Sequence, residues 1–321
     1  MEKQMSLSEY IEQGFIESEK KTMTNAEIYD YVDNSDYQSS GKTLHNSIRT
    51  QLQRCSKFMS VTTGVWAIVG ERSKSLIIEG DGRSLEGVQD SSIDCIITDH
   101  PYSMKSSHSS GNQKNFADYE CFRYTREDFE NKARVLKDGA YLCEFLPWEN
   151  AENSEYLSEI RRYAKDCGFE FYCMLDWRKF NSSIADAKPD ANTGRTTKGS
   201  EMIIVWSKGK PRNLINQNKG RCTRKIIRQH IEDYYIKRGD KKSHQAEKPI
   251  ELYEYLIQTF TEEGEICLDQ FGGSCNLAKA CINTGRMGIV FEKCREFINN
   301  AVGRFGAITV IDKTALEPSA A

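Results

Sequence analysis

Asp94-Cys95-Ile96-Ile97-Thr98-Asp99-His100-Pro101-Tyr102 is the stretch whose reading decides the fold. An apolar run stops abruptly in an acid, followed at once by a proline and an aromatic ring. Strands buried on both faces belong to parallel sheets, and the ligands of such sheets bind beyond the carboxyl ends of the strands. A strand that merely stops in an Asp/Pro turn is the plain alternative. The choice is decided far downstream, in residues 263–292, which run Glu-Gly-Glu-Ile-Cys-Leu-Asp-Gln-Phe-Gly-Gly-Ser-Cys-Asn and on to Phe291-Glu292. They read as a strand over 265–269, a glycine turn over 271–274, then a helix. Leu277, Ala278, Cys281 and Ile282 share one side of that helix and Gly285 stops it. A second strand over 286–291 closes in Glu292. A glycine turn lets a ligand approach the backbone, and an acid ending the next strand can hold ribose hydroxyls.

The chain has 321 residues, enough for two domains, with 38% apolar and 28% charged residues, as in a globular protein. No apolar run reaches the roughly 18–20 residues of a membrane span, and no signal peptide opens the chain. The eleven cysteines form no CxxC pair and have no zinc spacing to the five histidines. Cys95, Cys143, Cys173 and Cys267 fall inside expected strands, so they read as reduced core residues of a cytosolic protein. A net charge of −3 conceals a basic segment, 208–242, with twelve Lys or Arg against three acids. Residues 1–36 hold nine acids against three lysines. The basic run reads either as a solvated face or as a phosphate-backbone footprint, with Arg221, Arg224, Lys225 and Arg228 as its candidate contacts.

Residues 1–70 read as a small helical domain ending in a hairpin, and 71–75 as a linker. Helices are expected over 7–17, from the Thr24-Asn25-Ala26-Glu27 cap, and over 43–55, where Leu44, Ile48 and Leu52 make the buried stripe. His45, Arg49 and Gln53 repeat at the same spacing on another face of that helix, and Lys42, Arg54 and Lys57 flank it with no acid nearby in the sequence. Strands 58–61 and 65–69 flank a Thr-Thr-Gly turn. Three helices and such a hairpin make a winged helix; the segment is similar to HARE-type winged-helix modules, including its Gly64-Val65-Trp66 ending. His45, Arg49 and Gln53 would then face a major groove, the alternative being a protein-interaction module. Beyond the linker, strands (76–79, 139–146, 169–177, 201–207) alternate with helices (125–135, 154–167, 249–260), as in a doubly wound α/β sheet. The polar stretch 103–119 reads as a loop that orders over substrate or as plain disorder.

The two defining stretches resemble the amino-methyltransferases of DNA in the beta arrangement, where the catalytic motif precedes the cofactor motif. Asp99-His100-Pro101-Tyr102 stands where that family has Asp-Pro-Pro-Tyr. Asp269-Gln270-Phe271-Gly272-Gly273-Ser274-Cys275 stands where it has Asp-Pro-Phe-x-Gly-Ser-Gly. His244-Gln245-Ala246-Glu247-Lys248-Pro249 matches His-x-x-x-Lys-Pro, and Gly80-Asp81 another recurrent position. His100, Gln270 and Cys275 depart from the pattern. The resemblance covers roughly residues 75–312. It implies a permuted Rossmann-like α/β domain over 76–313, doubly wound with a mostly parallel sheet, behind the winged helix and before a tail over 314–321.

It also implies a chemistry. An exocyclic base amine is a poor nucleophile, because its lone pair is delocalised into the ring; acceptors on both its N–H groups favour a pyramidal nitrogen. Asp99 would be one acceptor and the main-chain carbonyl of His100 the other, Pro101 would set the turn, and Tyr102 would stack on a base turned out of duplex DNA. S-adenosylmethionine is the implied donor. Phe271, Gly272, Gly273 and Ser274 would line its pocket, with Glu292 on the ribose, Asp81 near the adenine and Asp269 as a further polar candidate. Lys248 reads either as a pocket residue or as a surface lysine leading a helix. Adenine N6 is favoured over cytosine N4 because Asp, not Ser, opens the catalytic motif. Other readings are a DNA-binding regulator with a degenerate methyltransferase domain, and an RNA methyltransferase. A second copy of the chain and a cognate restriction endonuclease are partners compatible with the resemblance, in a prokaryotic or phage setting. For Cys275 the backbone decides: a site needing positive φ makes a side chain costly, a first helical turn tolerates it.

Overall fold

A computed structural model describes residues 5–38, 43–55, 57–62, 64–68, 75–102, 121–178, 200–214, 230–231, 234, 247–306 and 308–316. The expected loop over 103–119 lies outside the described residues. So do residues 71–74 of the linker, the leader residues 244–246, and the stretch of the basic segment that carries Arg221, Arg224, Lys225 and Arg228.

Residues 5–68 form α1 (Leu7–Glu17), β1 (Thr22–Thr24), α2 (Asn25–Asp33), α3 (Leu44–Arg54), β2 (Phe58–Thr62) and β3 (Val65–Ile68). Capping boxes open the first two helices. Ser6 exchanges hydrogen bonds with Glu9, and Thr24 with Glu27, so each satisfies orphan donors at both ends of the box. Ile11, Phe15, Ile28, Ile48, Leu52 and Phe58 form the module's core. The strands assemble in the order β1-β3-β2, antiparallel throughout. A strand as short as β1 leaves no periodic signature, and the sequence reading has no counterpart for it.

The remainder is β4 (Ser75–Glu79), β5 (Ile93–Thr98), α4 (Arg126–Val135), β6 (Leu136–Leu146), α5 (Ser154–Asp166), β7 (Phe169–Arg178), β8 (Ser200–Lys208), β9 (His230–Ile231), α6 (Ile250–Phe260), β10 (Ile266–Asp269), α7 (Asn276–Asn283), β11 (Met287–Glu292), α8 (Arg295–Phe305) and β12 (Thr309–Asp312). These strands make one nine-stranded sheet in the order β12-β4-β11-β10-β5-β6-β8-β7-β9. Pairing is parallel from β12 through β6, and β8 runs antiparallel to both β6 and β7. All six residues of β5 are buried, which is why Cys95, Ile96 and Ile97 follow one another without alternation, while the buried Asp94 pairs with Lys137 and accepts from the Ile266 amide. Apolar layers cover both faces of the sheet. In α6, Leu252, Leu256, Ile257 and Phe260 are fully buried, each contributing roughly 1.5–3 kcal/mol to folding.

Topology places the cleft. From β10 the chain passes through α7 to β11 on one side. From β5 it passes through α4 to β6 on the other. The strand order therefore reverses between β10 and β5, and the crevice opens at their carboxyl ends. Because β8 is antiparallel, with Met202 beside Leu146, its first residues lie at that same end. The N-terminal module meets the opposite edge: Lys21 Nζ donates to the Val310 carbonyl (2.7 Å) and Thr309 Oγ1 to the Ile68 carbonyl (3.3 Å). A cleft of ≈ 640 Å³ lies there, lined by Lys20, Lys21, Glu79, Arg295 and Asp312 among others.

Candidate active site

Three chain segments meet in front of β5. Asp99 follows that strand, Lys248 immediately precedes the Pro249 cap of α6, and Glu201 is the second residue of β8. Lys248 Nζ donates to Asp99 Oδ2 at 2.6 Å and lies 3.1 Å from Glu201 Oε2. Its ammonium also sits 5.2 Å from the centre of the Phe145 ring. With 6% of its side chain exposed, Lys248 is no surface lysine, while Asp99 and Glu201 are each 20% exposed and reach the cleft. Burial pushes the Asp99 carboxyl up, the lysine pulls it back, and Glu201 adds to the rise. Burial also disfavours the Lys248 ammonium, but Asp99 and Glu201 outweigh it and hold that group well above its usual value. Glu201 has no place in the sequence reading; its one signal is an acid at the head of an apolar strand.

The His100 side chain turns away from the cleft and is 1% exposed. Its Nδ1 faces Glu144 Oε1 (3.2 Å) and its Nε2 the Tyr156 hydroxyl (2.6 Å). Glu144 also accepts from the Tyr124 hydroxyl (2.5 Å) and from Lys132 Nζ (3.1 Å), whose ammonium lies over the Tyr124 ring. Burial alone would raise the Glu144 carboxyl, yet Lys132, His100 and Tyr124 hold it below its ordinary value. Tyr156 accepts from the Tyr124 amide (3.0 Å), so its own proton points to His100 Nε2, leaving Nδ1–H for Glu144. The imidazole thus occupies a fully partnered core site. Pro101 accepts from the Phe122 amide (3.0 Å), and Tyr102 lies half-buried, 5.3 Å from the His100 ring.

Across the crevice stands the turn after β10. Asp269 Oδ1 accepts from Thr98 Oγ1 (2.8 Å) and from the Phe271 amide (3.0 Å), tying β10 to β5. Burial pushes its carboxyl up to about 7. Glu292, also raised by burial, accepts from the amides of Gly273 (2.6 Å) and Cys294 (2.7 Å) and so braces the turn. A Cβ on Gly272 would stand 2.3 Å from Val290 Cγ1, so close packing against β11 requires this glycine. Gln270 Nε2 donates to the Gly82 carbonyl (3.0 Å), and its Oε1 is buried with no partner among the described residues. Cys275 lies at φ 56°, in the left-handed region, and is fully buried. The costly alternative for that position therefore holds. Ser274 is buried, its carbonyl accepting from Arg304. Asp81 pairs with Lys293 (2.8 Å) and accepts from the Arg83 amide (2.9 Å).

In the N-terminal module, His45 Nε2 pairs with Asp33 (2.7 Å) and stacks on Tyr29, whose hydroxyl accepts from Arg49. Gln53 is exposed. Lys57, expected to flank α3 with no acid near, pairs with Glu12 of α1 at 2.6 Å, because folding brings the two helices together. Among the described residues, no His/Cys/Asp/Glu group could hold a metal, and no helix is long and apolar enough to cross a membrane.

The geometry agrees with comparisons to known proteins. The family model for N6/N4-type DNA methylases matches residues 93–303. Type II methyltransferase M.HpaI of Haemophilus parainfluenzae is 26% identical over 244 residues, covering 71% of this chain and 73% of its own. Orphan methyltransferase M.BamHII of Bacillus amyloliquefaciens is 25% identical over 267 residues, covering 71% and 94%. Among solved structures, the cytosine-N4-specific PvuII DNA methyltransferase shares the fold with a TM-score of 0.53 at 16% identity, over 74% of this chain and 90% of its own. The acid after β5 and the turn after β10 both fall inside the matched region, and the chain belongs to the N6/N4 family of DNA methylases.

Proposed function

We propose that the chain transfers a methyl group from S-adenosylmethionine to an exocyclic amino group in duplex DNA, adenine N6 in preference to cytosine N4, with the target base turned out of the helix. The observation that carries this reading is Asp99, held by Lys248 at the crevice where the strand order reverses, facing the turn at Phe271–Gly273. The pocket suits such a donor. Asp269, Glu292 and Asp81 place carboxylates at or just past the ends of three neighbouring strands, a set that favours a ligand of net positive charge. Phe271 offers a partly buried ring, and Gln270 Oε1 leaves one acceptor unused at the turn. When bound, the cofactor supplies a methyl on a sulfonium. Asp99 and the His100 carbonyl accept from the target amine, which stabilises the charge that develops as the N–C bond forms. Asp99 would then be the group that takes up the proton of the nitrogen.

Residues 5–68 act, on this reading, as a winged helix that contacts DNA. Gln53 is exposed for it, whereas His45 and Arg49 must loosen from Asp33 and Tyr29. Arg221, Arg224, Lys225 and Arg228 meet the phosphates. A homodimer and a partner restriction endonuclease remain compatible with this scheme. Incubating the protein with unmethylated DNA and labelled S-adenosylmethionine, then separating the nucleosides, tests class and base together. Label in N4-methyldeoxycytidine would overturn the adenine preference, and no label at all would favour a DNA-binding regulator.

A further inference from the structure

We propose that Glu201 is a positioning residue of the methyl-transfer site, sharing Lys248 with Asp99 so that one edge of the Asp99 carboxylate stays open to the target amine. The inference rests on the function proposed above and adds to it a residue on the antiparallel strand.

Topology is the first argument. β8 is antiparallel to β6, so Glu201, its second residue, arrives at the carboxyl end of the parallel strands. Glu201 is paired in register with Trp177 and reaches Lys248. The lysine is the second argument. Its ammonium lies between the two carboxylates, nearer Asp99 (2.6 Å) than Glu201 (3.1 Å), and is almost wholly enclosed while both acids reach the cleft. A lysine with Asp99 as its sole anion would concentrate its charge on the oxygens that have to accept from the amine. A second carboxylate spreads that attraction. Lys248 donates to Oδ2, and Asp99 Oδ1 has no partner among the described residues. That oxygen is the one left for the base.

Electrostatics gives the sign. Among the described residues, groups that bear on Asp99 and Lys248 include Tyr253 from the α6 side, Glu201 from β8, His100 and Tyr102 next in the chain, and Asp269 from β10. Lys248 favours the ionised form of Asp99, and Glu201 opposes it. Their removal therefore moves Asp99 in opposite directions. A residue that only supported the fold would move neither limb.

The test is the initial rate of labelled methyl incorporation into unmethylated plasmid DNA, followed against pH at saturating S-adenosylmethionine, with the full chain and its variants. Glu201→Gln should lower the plateau several-fold and move the acid limb down by roughly half to one pH unit, the scale of one nearby charge. Lys248→Gln should move that limb up. Glu201→Asp, which keeps the charge, should return it towards the parent. An unmoved limb in Glu201→Gln, or both variants shifting the same way, overturns the role of Glu201. An Asp99→Ala control separates the two layers. Methylation at the parent rate in that control sinks the functional reading and this inference with it. An inactive control beside an unmoved Glu201→Gln limb sinks the inference alone.

Discussion

Replacing Asp99 by alanine perturbs catalysis and stability together, and the structure separates the two effects. Removing the carboxylate takes from Lys248 its 2.6 Å partner and leaves an ammonium with 6% of its side chain exposed. A buried charge stripped of its partner costs roughly 3–5 kcal/mol. Here Glu201 stays at 3.1 Å, and the acids are open to the cleft, so the loss should be about 1–3 kcal/mol. In a domain of this size that lowers the melting temperature by roughly 2–12 °C. The rate loss has a different origin. One preorganised acceptor is worth roughly 10²–10³-fold in the chemical step. Asp99→Ala with Lys248→Met removes the stranded charge, so it should recover most of the stability and none of the rate. Single-turnover methylation beside a thermal melt reads both quantities. If the double variant regains the parent rate along with its stability, Asp99 was supporting the fold and the catalytic argument fails.

Cys275 carries a left-handed backbone that disfavours any side chain by about 1–2 kcal/mol. Glycine should therefore be tolerated better than alanine at this position by about 0.5–1 kcal/mol, the reverse of the order in a helix, as chemical denaturation can show. Asp269 is held near 7 in the fold, against an ordinary value near 4, so the folded state binds a proton that the unfolded chain releases. Its contribution to stability is thus present below about pH 4 and is lost as pH rises through about 7. A cationic cofactor favours the ionised form, so affinity by calorimetry should rise between about pH 6 and 8, and Asp269→Asn should flatten that rise. Neutralising Arg221, Arg224, Lys225 or Arg228 should lower the salt dependence of DNA binding by about one charge, whereas an unchanged slope would make the segment a solvated face. Substituting Gln53 should alter DNA affinity while leaving cofactor titrations as they were.

Legibility followed the physics of each element. Helix α1 was readable over its observed range and the start of α2 from a cap that is written locally, and β5 was recognisable because burial on both faces leaves no alternation in Cys95, Ile96 and Ile97. The order in which β5 and β10 serve the site could be read from the turn residues that end them. What could not be read is whatever folding alone brings together. Lys57 looked unopposed because Glu12 lies in another helix. Lys248 was undecided between pocket and surface because its partners, Asp99 and Glu201, are remote in the chain. Nothing local told that His100 would find Glu144, Tyr124, Lys132 and Tyr156. The glycine turn was readable, but its reason was not: Gly272 is required by Val290, a side chain of the following strand.

The position of β10 has a consequence for how the chain acquires its fold. It is bonded to β11 on one side and β5 on the other, while β4 pairs only with β11 and β12. A ribosome has thus made β4 and β5 long before it makes the strands that join them. Until residues 266–292 emerge, β4 has no neighbour in the sheet, and β5 has only the strands from β6 onward. The strands that join the two parts of the sheet are thus made late, and long-range parallel pairing of this kind is slow. Nicking or truncating the chain ahead of β10 should therefore leave no partial enzyme, only an unpaired strand edge exposed to aggregation.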